Sequence, residues 1–275
     1  MKTFTSVGTN CVRSRGREEW SINLKNLKFY DCNAMVGKRR IKNPGSFYKT
    51  NELIRKMEYY GIEKALVRHS LAGEYDPITG NSALTDEIKD RHNLSGVWVI
   101  LPHQTGEFPN AALLRELLKE NRISAVAMLP KDHMYNLDDW VCGELFDMLE
   151  ETNLPLFINH DQILAYKDLH ALLSSRPKLR IILTDLHYNT GRNLYPLLEK
   201  FENLFIETIG FKVHSGIEDV CRKFGAGKLI FGTCAPIYSG GAAVAMITYA
   251  KISEEDKQMI ASGNLKKLLG EVCLV

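Results

Sequence analysis

The chain has 275 residues, 45% apolar and 25% charged, an ordinary composition for a soluble globular protein and enough for one large domain. Lys and Arg total 35 against 33 for Asp and Glu, which gives no electrostatic case for nucleic acid or an anionic membrane as partner. No apolar run reaches the roughly 18 to 20 residues that span a bilayer, residues 1–26 contain no continuous hydrophobic stretch, and the six scattered cysteines form no C-x-x-C pair, so a cytoplasmic protein with free thiols is expected.

From Leu27 onward, short apolar runs alternate with stretches of helical periodicity. The runs predict strands at 27–30, 64–68, 96–101, 123–129, 154–159, 179–184, 203–208 and 228–233. They are rich in Val, Ile, Leu and Phe at consecutive positions, as strands covered on both faces should be. Between them, Leu53, Met57 and Tyr60 precede Gly61, Leu113, Leu114, Leu117 and Leu118 follow Asn110, and Leu194, Leu197, Leu198 and Phe201 repeat the i, i+3, i+4 spacing of an amphipathic helix. Ser253 to Asp256 fits a capping box opening a final helix that runs through Leu268 and Leu269 to Gly270.

This alternation predicts a single (β/α)8 TIM barrel over residues 27–275, with residues 1–26 as an extension packed on one end. A doubly wound open sheet would usually carry a Gly-rich phosphate turn after its first strand, where this chain reads DCNAMVG (31–37). In a closed barrel the chemistry gathers at the C-terminal strand ends. There the sequence offers Asp31, Cys32 and Asn33, then His69, His103, His133, His160, Asp185 with His187, Glu207 and Cys234.

The segments LPLFINH (154–160), RPKLRIILTD (176–185), FENLFIET (201–208), KLIFGTCAP (228–236) and SEEDKQMIASGNLKKLLG (253–270) together resemble the amidohydrolase-related family, which includes hydrolases and decarboxylases of carboxylate-bearing substrates. In that family the first strand ends in D-x-H-x-H-x-G, whose histidines bind a divalent metal. The resemblance puts Asn33 and Met35 at those positions, keeps the strand-five histidine as His160, and places Asp185 where strand six has a histidine and Cys234 where strand eight has a catalytic aspartate. It therefore implies a degenerate metal site and a metal-independent protein, because Asn is a weak neutral ligand and a thioether is poorly suited to activating water.

Cys234 has three readings: a small buried hydrophobe, a thiolate nucleophile assisted by His160 or His187, or a ligand in a rearranged zinc-type site with His160 and Asp185. Strand alternation puts 31, 33 and 35 on one face and predicts that Cys32 points away from the lumen. Arg68, Lys131, Lys212 and Lys38-Arg39-Arg40 supply cations at expected mouth positions, and Ser239-Gly240-Gly241 offers either an anion-binding helix start or close packing. The expected protein is thus hydrolase-like and acts on a small anionic ligand, with His160, Asp185, Cys234 and His187 as catalytic candidates and Arg68, His69, Lys131 and Asn33 as ligand-binding candidates. A catalytically inactive barrel used for binding or assembly, and an enzyme with a rearranged metal centre, are the alternatives, and a homo-oligomer is compatible with each.

Overall fold

The computed structural model describes residues 27–41, 43, 45–163 and 165–274, so the expected packing of residues 1–26 lies outside the described residues. Eight parallel strands succeed one another around a single sheet: β1 Phe29–Val36, β2 Ile62–His69, β3 Leu94–Val99, β4 Ile123–Met128, β5 Leu156–Asn159, β6 Ile181–Thr184, β7 Leu204–Glu207 and β8 Leu229–Ile230. Each hydrogen-bonds its sequence neighbour, and helices cross between them, so the (β/α)8 barrel is the observed fold. Because β8 is only two residues long, closure depends on the segment beyond it. Cys32 N–H donates to the Phe231 carbonyl at 2.9 Å and Met35 N–H to the Ala235 carbonyl at 2.8 Å, which seals β1 against the chain after β8.

Strand periodicity sorts the apolar side chains into two layers. Tyr30, Cys32, Leu66, Val97, Val99, Ala125, Ala127, Phe157, Ile182 and Ile230 fill the lumen, joined by Leu265 and Leu268 of the terminal helix Asn264–Gly270. The alternate positions, among them Val36, Val67, Val126, Ile158 and Ile206, face outward and pack under the helices with Leu53, Leu114, Phe146 and Leu194. The amphipathic helices form where the spacing puts them: Thr50–Tyr60 buries Leu53 and Met57, and Ala111–Glu120 buries Leu114 and Leu118 beneath an N-cap in which Asn110 accepts from Leu113 N–H at 3.0 Å. Ser253 likewise accepts from Asp256 N–H at 3.0 Å. Among the described residues no helix is long and apolar enough to cross a membrane.

Two expectations need correction. The first strand runs on to Val36, so DCNAMV (31–36) is itself strand rather than the turn after one. Within it the register against β2 passes from Asp31↔Ala65 to Ala34↔Val67, one residue more on β1 than on β2. This bulge breaks the strict alternation, so Cys32 joins the lumen cluster although the side chain of the next residue, Asn33, also reaches a lumen group. At the other end, the methyl carbon that alanine would add at Gly240 or Gly241 would lie 2.8 or 2.9 Å from the Tyr60 ring. Those glycines let the helix Gly240–Thr248 press onto the helix Thr50–Tyr60.

Candidate active site at the barrel mouth

The C-terminal ends of β1, β2, β6, β7 and the segment after β8 converge on Glu207, the last residue of β7, whose side chain is fully buried. Asn33 donates its side-chain amide to both Glu207 oxygens at 3.2 Å, and the Asp185 backbone N–H donates to Oε2 at 3.2 Å. Burial pushes the Glu207 carboxyl up to about 8, against which the Asn33 and Asp185 hydrogen bonds pull down, and the nearby Asp31 and Asp185 carboxyls push further up. Glu207 therefore holds its proton at neutral pH. Gly232 makes room for it, since a Cβ there would sit 2.3 Å from Glu207 Oε1.

Asp31, also buried, ties β1 to the segment after β8. Its carboxylate accepts from Thr233 N–H at 2.9 Å, from Asn33 N–H at 3.0 Å and from the Thr233 hydroxyl. Asp185, partly exposed, accepts from the Tyr238 hydroxyl at 3.2 Å and from the Asn159 amide at 3.4 Å. Lys212 lies over the Tyr238 ring, 4.1 Å from its centroid. Asp185 and Cys234 both have positive φ, 53° and 48°, a region that side-chain-bearing residues seldom occupy and that tends to mark functional sites.

The structure brings together four of the eight sequence candidates here: Asn33, Arg68, Asp185 and Cys234. Cys234 is buried, and desolvation with the Glu207 and Asp185 carboxyls drives its thiol well above the ordinary range, with Arg68 opposing more weakly. Such a thiol is a poor source of thiolate, which weighs against a nucleophilic Cys234. Arg68 follows Leu66 on the lumen face of β2 and feels Cys234, Glu207 and Asp185 electrostatically. Among the described residues its guanidinium makes no hydrogen bond or ion pair.

The other four lie elsewhere. His69 is on the opposite face of β2 from Arg68, where Leu71 N–H donates to its Nδ1 at 3.2 Å and Glu87 lies 3.6 Å from its Nε2. It is therefore no part of the lumen, for the alternation that turns Arg68 inward turns His69 outward. Lys131 is exposed on the loop after β4 and lines a separate cleft of about 380 Å³ with Tyr135, Asp139 and Gln162. His160 and His187 stand on the rim, beyond β5 and β6. There His187 Nε2 is 2.9 Å from Asp161 Oδ1, His160 Nδ1 is 3.5 Å from the same oxygen, and the two rings meet edge to face. Among the described residues, the ligand atoms within 4.8 Å of one another are those of His160, Asp161 and His187, not those of His160, Asp185 and Cys234.

Glu207 stood in the sequence as a strand end without a role, and Tyr238, Asn159 and Tyr166 carried no signal. The one available clue to Glu207 was a carboxylate closing an apolar strand.

The barrel, with these polar groups at the C-terminal ends of its strands, shares its fold with several solved structures. Solved structures that share it include a TIM-barrel protein from Bordetella bronchiseptica, with 15% identity, 89% of this chain and 99% of that one covered, and a TM-score of 0.72. The 5-carboxyvanillate decarboxylase of Sphingomonas paucimobilis has 15% identity over 90% of this chain and 100% of its own, with a TM-score of 0.69. A dihydroxybenzoic acid decarboxylase from Polaromonas, solved with manganese and 2-nitroresorcinol, has 14% identity over 89% and 97%, with a TM-score of 0.68. No family model and no curated protein sequence matches the chain. At such identities the likeness establishes the fold.

The manganese in that neighbour raises the question of which residues here suit a divalent ion. Asn33 turns its N–H toward Glu207 and so presents a donor rather than a lone pair. Two imidazoles and a carboxylate, by contrast, form an apt donor set, and His160 Nδ1 is a buried nitrogen that makes no hydrogen bond.

Proposed function

We propose that the barrel mouth binds a small carboxylate-bearing molecule and decarboxylates it. The observation that carries this reading is Arg68: a guanidinium on the lumen face, beside a Glu207 that keeps its proton, with no protein partner among the described residues. A planar fork of donors suits a carboxylate or a phenolate. The decarboxylases that share the fold favour carbon–carbon cleavage over the hydrolysis expected from the sequence.

Pairing Arg68 with the carboxylate to be lost would stabilise the ground state more than the transition state. Arg68 therefore holds an oxygen group that the substrate keeps, which calls for a second anionic or hydroxyl substituent. When the scissile bond breaks, its electron pair remains on the substrate carbon, carbon dioxide leaves, and the proton of Glu207 moves to that carbon. The Asp185 N–H, which stays bonded to Glu207, stabilises the carboxylate that results, which then regains a proton from water. For this the substrate displaces the Asn33 amide that covers Glu207. Asp185, held by Tyr238 and Asn159, orients the substrate's hydroxyl in this reading. A divalent ion held by His160, Asp161 and His187 would supply Lewis-acid polarisation of a substrate oxygen at the rim.

Carbon dioxide release from a panel of hydroxybenzoates and benzene dicarboxylates, with calorimetric binding alongside, tests the reading. Turnover that Glu207→Gln abolishes while binding persists is the expected result. Absence of carboxylate binding would sink the proposal, and binding without turnover of any member would leave a ligand-binding barrel.

A further inference from the structure

We propose that His160, Asp161 and His187 form a divalent transition-metal site of the zinc class on the barrel rim, drawing on the loops after β5 and β6. The decarboxylation reading would use this ion, but the site is inferred from its own geometry and its test needs no substrate, so the two can fail separately.

Geometry carries it. Ligand atoms around a tetrahedral ion with bonds of ~2.1 Å lie about 3.4 Å apart. Here the two contacts of Asp161 Oδ1 are 2.9 Å to His187 Nε2 and 3.5 Å to His160 Nδ1, and the three atoms lie within 4.8 Å of one another. The rings meet edge to face at 81°, their centroids 5.1 Å apart, so that both present a ring nitrogen to the same carboxylate. Asp161 paired with both imidazoles would bring the trio together without an ion; what that pairing leaves over is a buried His160 nitrogen held 3.5 Å from the carboxylate without hydrogen-bond geometry.

His160 is the independent observation. Its Nδ1 is buried without a hydrogen bond, which is costly for a polar atom unless something else fills its lone pair. Its other nitrogen, Nε2, is 2.9 Å from the Tyr166 hydroxyl. A metal-binding histidine almost always has its second nitrogen engaged in this way, because that bond fixes the tautomer and the ring orientation. In the tautomer that donates Nε2–H to Tyr166, the lone pair is on Nδ1, on the side of Asp161.

Asp161 is placed by the strand end itself. Its N–H donates to Asn159 Oδ1 at 2.8 Å, within the short turn His160–Gln162, and Asn159 Nδ2 in turn reaches Asp185 at 3.4 Å. The site is thus linked through one side chain to the lumen cluster. The side chains of Asp161 and His187 are 55% and 51% exposed, so a bound ion would keep solvent positions open, the pattern of a reactive rather than a purely structural centre.

The full chain, stripped by chelator and dialysed, is titrated with Zn²⁺ and separately with Mn²⁺ in the absence of any carboxylate ligand. Calorimetry reads stoichiometry, and the imidazole Cε1–H resonances read which rings respond. We expect about one equivalent of Zn²⁺, shifts confined to His160 and His187, and at least a tenfold weaker affinity in Asp161→Asn and His187→Gln. Tyr166→Phe should weaken binding by roughly 10- to 100-fold while leaving the stoichiometry unchanged. His103→Ala, a histidine on another loop, should bind as the wild type does. Zn²⁺ should also raise the melting temperature of the wild type but not of Asp161→Asn, a comparison that remains valid if either variant is less stable. Wild-type binding below a tenth of an equivalent of both ions overturns the proposal, as does undiminished affinity in Asp161→Asn and His187→Gln.

Discussion

The side-chain amide of Asn33 donates to both carboxylate oxygens of Glu207 at 3.2 Å, joining β1 to β7 past the two-residue β8. Asn33 thus presents a hydrogen-bond donor to a buried acid. Burial governs the protonation of that acid, and the Asn33 contact opposes it.

Glu207 should make stability depend on pH. Its folded-state carboxyl titrates at about 8, above the ordinary 4.5, so the folded state binds the proton more tightly than the unfolded chain does. The contribution is complete below about 4.5 and is lost as pH rises through about 8, a change on the order of a few kcal/mol. Urea unfolding from pH 4.5 to 9 should show this decline, and Glu207→Gln should flatten it. An unchanged slope in the variant would assign the decline to other groups.

Replacing Arg68 separates charge from shape. Arg68→Met should weaken carboxylate binding by roughly 10- to 100-fold, the scale of a lost charge-assisted pair. Arg68→Lys keeps the charge but not the planar fork and should recover only part of the affinity. Calorimetry with the same benzoate series decides it. Equal binding by all three proteins would mean that the ligand sits elsewhere.

Gly232→Ala should disturb the site without touching a polar group. The added methyl carbon would lie 2.3 Å from Glu207 Oε1 and 2.6 Å from its Cγ, so the buried acid must move. Overpacking of this kind costs about 1–3 kcal/mol. Chemical denaturation should show that loss.

Asp31→Ala should loosen the barrel seam. It would leave the backbone N–H groups of Thr233 and Asn33 and the Thr233 hydroxyl without their acceptor. Each buried donor left unpaired costs about 1–3 kcal/mol. Hydrogen exchange should quicken first at the Cys32 and Met35 amides, which close β1 onto the segment after β8. Uniform acceleration across all strands would instead point to global destabilisation.

Thiol reactivity should separate the cysteines. Cys234 is buried with its thiol raised, whereas Cys273 is exposed, so iodoacetamide at pH 8 should label Cys273 well before Cys234. Labelling of Cys234 faster than a free cysteine peptide would restore the nucleophile.

Residue pattern alone determined the barrel. Consecutive β-branched and aliphatic residues at eight places, separated by i, i+3, i+4 helices, have one economical arrangement, and local propensity and burial agree on it at every step. It also brought Asn33, Arg68, Asp185 and Cys234 to the strand ends, where a barrel concentrates its chemistry.

Tertiary structure decided what those residues do. A one-residue bulge between Asp31 and Ala34 turned Cys32 inward, and strand parity separated Arg68 from its neighbour His69. The proton on Glu207 arises from desolvation by elements distant in sequence, and Gly232, 25 positions from Glu207, opens the space for it. The trio on the rim exists because adjacent loops, after β5 and β6, meet in space. Periodicity reports which face of an element is buried; electrostatics and bulges depend on which other faces meet it, and those contacts are non-local.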